Sequence, residues 1–187
     1  MKLLFLVPLA GMLFSGCAMW RNPNDPARNK QYVVVINAMT WPDSASGQMQ
    51  GKRTVWPLEQ LGNHEELFPL AQLKHCPPAL PCAWGVLSAS RNVTRYQYEA
   101  GGVTLDLGMN VDVHRRQQDR RRNSHTSIAI PADVPAMSYQ RVVQETVSLP
   151  YGKVYSVEMD YGIKYQLCAQ RMDASGRPLD KCDIPPI

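Results

Sequence analysis

From Val103 to Val113 every second residue is apolar. Val103, Leu105, Leu107, Met109, Val111 and Val113 alternate with Thr104, Asp106, Gly108, Asn110 and Asp112. Successive side chains of an extended strand point to opposite faces, whereas a helix would scatter these apolar residues around its circumference. The run predicts a long strand with one buried and one solvated face. Gly101-Gly102 opens it as a turn or bulge, and Asp106 and Asp112 share the wet face without being direct neighbours.

Other segments follow the same logic. Tyr32-Val33-Val34-Val35-Ile36 is β-branched and lacks alternation, so it reads as a strand covered on both faces. Residues 42–51 form a loop of Pro, Asp, Ser, Gly and Gln, and Lys52-Arg53-Thr54-Val55-Trp56 is a short strand stopped by Pro57. Asn63 followed by Glu66 has capping-box spacing, with Pro69 limiting any helix to a turn or two. Arg141 to Leu149 is a weaker strand, followed by an expected type I turn at Leu149 to Gly152. Two alternating runs around Asp160-Tyr161-Gly162 read either as a hairpin or as one bent strand. About six to eight short strands with frequent turns and no crossover helices predict an all-β fold, an antiparallel β-sandwich or a barrel-like domain. Trp41, Trp56 and Trp84 border turns and are read as core plugs, and the tyrosines of the last third as strand aromatics.

Cysteine usage adds a constraint. Apart from Cys17, four thiols remain, Cys76, Cys82, Cys168 and Cys182. An even number suits two disulfides in an oxidising compartment, and local closure favours Cys76–Cys82 and Cys168–Cys182 among the three pairings that four thiols allow. The first would pin the loop Cys76-Pro77-Pro78-Ala79-Leu80-Pro81-Cys82, and the second would staple a hairpin around Asp173 to Pro178. The alternative is a zinc site of His75, Cys76 and Cys82, whose spacing departs from the C-x2-C knuckle.

The first seventeen residues have their own character. Met1-Lys2 is a cationic start, Leu3 to Leu13 is apolar, and Phe14-Ser15-Gly16-Cys17 closes the segment. The apolar stretch is too short for a stable transmembrane helix and reads as an export signal. Phe14-Ser15-Gly16-Cys17 resembles the lipobox of bacterial lipoprotein precursors, with Phe14 in place of the favoured Leu. The resemblance implies a signal peptide over 1–16, a diacylglycerol on the Cys17 thiol, and acylation of the new amino group, of the palmitate kind. It also implies that Ala18, where an Asp would retain the product on the inner membrane, sends it to the outer membrane, facing the periplasm or the cell surface. Residues 17–31, rich in Pro, Asn and charge, read as a lipidated tether, and residues 32–187 as a single β-rich domain. Trp20 is read either as an interfacial anchor or as an exposed linker residue.

Polar chemistry concentrates in one place. His114-Arg115-Arg116-Gln117-Gln118-Asp119-Arg120-Arg121-Arg122-Asn123-Ser124-His125 carries five arginines at the end of the long strand. Arg115, Arg116, Arg120, Arg121 and Arg122 offer guanidinium forks suited to carboxylate or phosphate, so a protein partner, anionic lipid or peptidoglycan is in view; the alternative is a solvated hairpin tip. His114 and His125 would make such a contact pH dependent. A net charge of +4 is too mild to argue for nucleic acid. His64-Glu65-Glu66-Leu67-Phe68 is half of a zinc-protease H-E-x-x-H and lacks the second His. No G-x-S-x-G, S-x-x-K or phosphate-cradling glycine loop occurs. No catalytic residue, metal or cofactor is expected. The expectation is a non-catalytic lipoprotein, a structural or assembly subunit of a cell-envelope complex of the secretion or pilus type. The alternative is an inhibitor or immunity lipoprotein that blocks an envelope-targeting hydrolase.

Overall fold

A computed structural model of the protein describes residues 32–62, 64–121, 124–185 and 187. The export segment, Cys17, the tether with Trp20, Asn63 of the expected capping box and Arg122 lie outside the described residues.

Eleven strands are described, more than the six to eight expected from sequence. They are β1 (Tyr32–Pro42), β2 (Met49–Pro57), β3 (His64–Leu67), β4 (Ala71–His75), β5 (Ala83–Glu99), β6 (Gly102–His114), β7 (Arg116–Gln118), β8 (Ser127–Ala129), β9 (Tyr139–Pro150), β10 (Val154–Glu158) and β11 (Lys164–Met172). A short helix, α1 (Leu58–Leu61), follows β2. The strands form two antiparallel sheets packed face to face, a sandwich and not a closed barrel. The first sheet runs β10-β11-β1-β2, the second β3-β5-β6-β9 with β4 also on β5, and β7 and β8 form a separate ribbon.

The alternation in β6 is realised residue by residue. Val103, Leu105, Leu107, Met109, Val111 and Val113 are buried between the sheets, and the intervening polar residues are half-exposed. β1 is covered on both faces, as its β-branched run predicts. Val33, Val35, Met39 and Trp41 enter the main core. Ile36 and Ala38 form a second cluster with Cys168 and Ile184 of the C-terminal tail. The Cys168–Cys182 disulfide holds that tail, and Cys76–Cys82 closes the Pro-rich loop, so both local pairings are present and the thiols of the zinc alternative are consumed. In the loop-entropy model a closed loop of roughly 15 residues is worth about 3 kcal/mol.

Two local expectations are corrected and one open alternative is settled. Glu66 sits in the strand β3 and not in a capped helix; the segment pairs with β5, with Glu66 opposite Arg91. The chain reversal after β9 comes one residue later than expected, with the Lys153 amide donating to the Pro150 carbonyl at 3.0 Å. Gly152 takes φ +74° at the third position, which a type II turn requires and a type I turn does not. The ambiguity around Asp160 to Gly162 resolves as a hairpin, β10 pairing antiparallel with β11.

Among the described residues, a buried polar cluster lies between the two sheets. Arg91, on the inner face of β5, donates from Nη2 to Glu66 Oε2 at 2.6 Å. Asn37 of β1 donates from Nδ2 to the same oxygen at 2.9 Å, Thr54 of β2 from its hydroxyl at 3.2 Å, and Lys52 Nζ lies 3.0 Å from Oε1. Glu66 and Arg91 are almost wholly buried, Lys52 only partly. Burial opposes ionisation of Glu66, but the hydrogen bonds from Arg91, Asn37 and Lys52 outweigh it and hold its carboxyl below the ordinary value. A depressed folded-state pKa contributes stability that is present above the unfolded value and lost as pH falls through the folded one. Replacing Glu66 alone leaves the Arg91 charge buried without its carboxylate, so Glu66→Ala should cost about 3–5 kcal/mol in urea unfolding at pH 7. The paired Glu66→Leu, Arg91→Met variant should recover most of that loss and lose the acid sensitivity. A double variant no more stable than Glu66→Ala would contradict the assignment.

Candidate functional site

The arginine segment is built on the β7–β8 ribbon, which grows from the end of β6. Asp119, 6% exposed, organises its tip. Its carboxylate accepts from the Arg121 backbone amide at 2.9 Å, from Nε at 3.0 Å and from Nη2 at 2.5 Å. The Asp119 amide donates to the Thr126 carbonyl at 2.9 Å, closing the ribbon. The hydrogen bonds from Arg121 hold the Asp119 carboxyl well below the usual carboxylate range.

The arginines therefore separate into different roles. Arg121 is tied to Asp119, and Arg115 donates to the carbonyls of Pro131 and Val134, the latter at 3.0 Å. Both serve the ribbon's own geometry. Arg120 reaches across to Glu65 of β3, Nη2 to Oε1 at 3.2 Å, which brings the ribbon beside the outer face of the second sheet. Arg116 is exposed, and its guanidinium has no partner among the described residues. His125 is exposed, and His114, also exposed, faces the Ser138 hydroxyl at 3.5 Å.

That outer face carries shallow, open hollows. Three adjoining hollows of about 440, 230 and 260 Å³ share lining residues along β6. Asn92 of β5 lies opposite Gly108 of β6, which lies opposite Gln144 of β9. Arg95, Asp106 and Thr146 form the next row, and Ser90, Asn110 and Val142 the row before. Asp106 and Asp112 share this face, as read from the alternation, but stand in separate rows. Gly108 allows a close approach: a Cβ there would meet Asn92 Oδ1 at 2.0 Å, so the Asn92 carboxamide takes the space a side chain at 108 would fill.

The sequence reading assigned no strand to β5 and passed over Arg91 and Ser90. β5 is the longest strand, yet its parity is masked. Arg91 occupies an inward position that the pattern assigns to an apolar residue, and the register with β6 shifts between Val93 and Arg95. The pairing of Arg91 with Glu66 would have required knowing the β3–β5 register. His75 packs edge-on against Tyr161 with centroids 5.3 Å apart, and no cluster of metal-ligating side chains occurs among the described residues. Trp41 is buried, Trp56 packs on the core, and the Trp84 ring lies under Lys74 Nζ at 4.9 Å.

No family model matches the chain, and neither a curated protein nor a solved structure matches it. The site has therefore to be read from its own chemistry.

Because Asp119 anchors the ribbon tip through Arg121, Asp119→Asn should raise backbone amide exchange over residues 116–129 at least about tenfold by hydrogen–deuterium exchange, leaving β5 and β6 protected. Arg116→Gln should leave exchange unchanged. Equal effects from both variants would place the ordering elsewhere.

Proposed function

We propose that this chain is a lipid-anchored, non-catalytic subunit of a bacterial cell-envelope assembly, of the secretion or pilus type. Its sandwich would face the periplasm from the outer membrane. The observation that carries the reading is the N-terminal segment ending Phe14-Ser15-Gly16-Cys17, joined to a domain with two disulfides. Cross-linked thiols suit an oxidising compartment outside the cytoplasm. No helix among the described residues is long and apolar enough to cross a membrane, and on this reading the attachment is made by acyl chains at Cys17. The exposed Arg116 supplies a positively charged contact for an acidic protein surface.

The anchor is tested by growing cells with an alkyne analogue of palmitate. The wild-type chain should take up label and sediment with membranes, and Cys17→Ser should lose the label and appear in the soluble fraction. An unlabelled wild-type chain would overturn the anchor. Recovery only as a free monomer after gentle detergent extraction and in-cell crosslinking would count against assembly.

A second reading, an inhibitor or immunity lipoprotein, is favoured by the Cys76–Cys82 loop. Leu80 is 67% exposed at the apex of a ring containing three prolines, and Ala79 beside it holds φ +64°. Such a loop loses little conformational freedom when it plugs an apolar cleft. Assayed against lysozymes and phospholipases at equal stoichiometry, the wild type should then block one, and Leu80→Asp should abolish inhibition while changing folding stability by less than about 0.5 kcal/mol. No inhibition by the wild type across that panel would discard the reading.

A further inference from the structure

We propose that the row of shallow hollows on the outer face of the second sheet is a binding trough for an extended, uncharged glycan chain. The three hollows run end to end from Thr104 to Asn110, a span of about 20 Å at strand rise. That length accommodates a short oligosaccharide lying along β6.

The chemistry of the lining selects the ligand class. The backbone donors and acceptors of β6 are committed on both sides, to β5 and to β9. The trough therefore offers a peptide backbone none of the free ladder groups that a sheet edge would. What it offers are side-chain amides and hydroxyls. Asn92 and Gln144 each carry both a donor and an acceptor, as sugar hydroxyls do. The main charged groups are internally compensated: Arg95 Nε lies 3.6 Å from Asp106 Oδ2, and Arg120 lies 3.2 Å from Glu65. Glu145 accepts from the Tyr155 hydroxyl. A neutral polyol matches this lining better than an anionic polymer or a phosphate.

The array is also held in place before any ligand arrives. Thr146 donates to Asp106 Oδ1 at 2.8 Å. Asn110 Nδ2 donates to Asp112 at 3.0 Å, which fixes the orientation of its carboxamide beside the trough. The Asn92 carboxamide oxygen occupies the space left by the missing side chain of Gly108, in the interior of a strand where glycine ordinarily costs stability. Val142, 60% exposed at the trough wall, gives the C–H face of a sugar ring an apolar surface.

The proposal stands on the folded domain and is independent of the lipid anchor, so its failure would leave the anchor reading untouched. The purified full-length protein in mild detergent is titrated calorimetrically with the β-1,4-linked hexamer of N-acetylglucosamine. Saturable binding tighter than about 1 mM is expected. The Asn92→Ala, Gln144→Ala variant should weaken it about tenfold or more with an unchanged melting temperature. Gly108→Leu, whose side chain would enter the trough, should abolish it. A variant on the opposite sheet, Val55→Ser, should bind as the wild type does. Absence of wild-type binding, binding that survives both trough variants, or equal competition by a Gly-Ser peptide of the same length would each overturn the proposal.

Discussion

The ion pair between Arg91 and Glu66 carries an unusual share of the architecture. Both residues lie in the second sheet, on neighbouring strands and directly opposite in register. Their remaining partners, Asn37, Lys52 and Thr54, belong to β1 and β2 of the first. One carboxylate thus ties four strands together along the flank where β2 meets β3. Desolvating two charges is expensive, and their mutual attraction offsets this cost only when geometry and additional hydrogen bonds are good. A cluster of this kind does less for the total free energy of folding than for its uniqueness. A slip of β3 by one residue would turn Glu66 outward and leave the buried Arg91 guanidinium without its carboxylate.

The opposite flank is closed by a different device. The chain crosses from β9 to β10 there, so the edges of the two sheets lie side by side. Arg141, at an inward position of β9, donates to the Glu158 carbonyl at 2.9 Å, and Glu145, at another, receives the Tyr155 hydroxyl. Inward-pointing charges on an edge strand deter pairing with foreign chains. The long edge of β9 is thus poorly suited to strand addition.

How much of this was legible in the sequence depended on whether local pattern or long-range register decided each element. β6 was readable because a strand with one wet face writes its burial into every second residue. The two disulfides were readable because short separations close locally. β1 was readable as doubly buried, but not what would cover its outer side, since Ile184 arrives from the far end of the chain. β3 and β5 were hidden because their inner faces carry Glu66 and Arg91, and a charge at an inward position erases the alternation that identifies a strand. In the candidate site, the arginines were visible as composition. That Arg121 and Arg115 serve the loop itself, while Arg120 reaches the sheet, depends on Asp119, Pro131, Val134 and Glu65, which no spacing rule connects.

The pairing of β1 with β11 brings the first described strand beside the last. A polypeptide emerging in order from a ribosome, or threading through a membrane pore, can assemble the second sheet early, because β3 to β9 lie within its middle. The first sheet must wait for the final residues, since β1 has only β2 beside it until β11 emerges. Ile36 and Ala38 stay bare still longer, until Ile184 arrives and Cys182 meets Cys168. Non-local closure of this sort is slow and leaves apolar surface uncovered in the interval. A nascent chain of this design would depend, over that window, on a holding chaperone and on timely thiol oxidation.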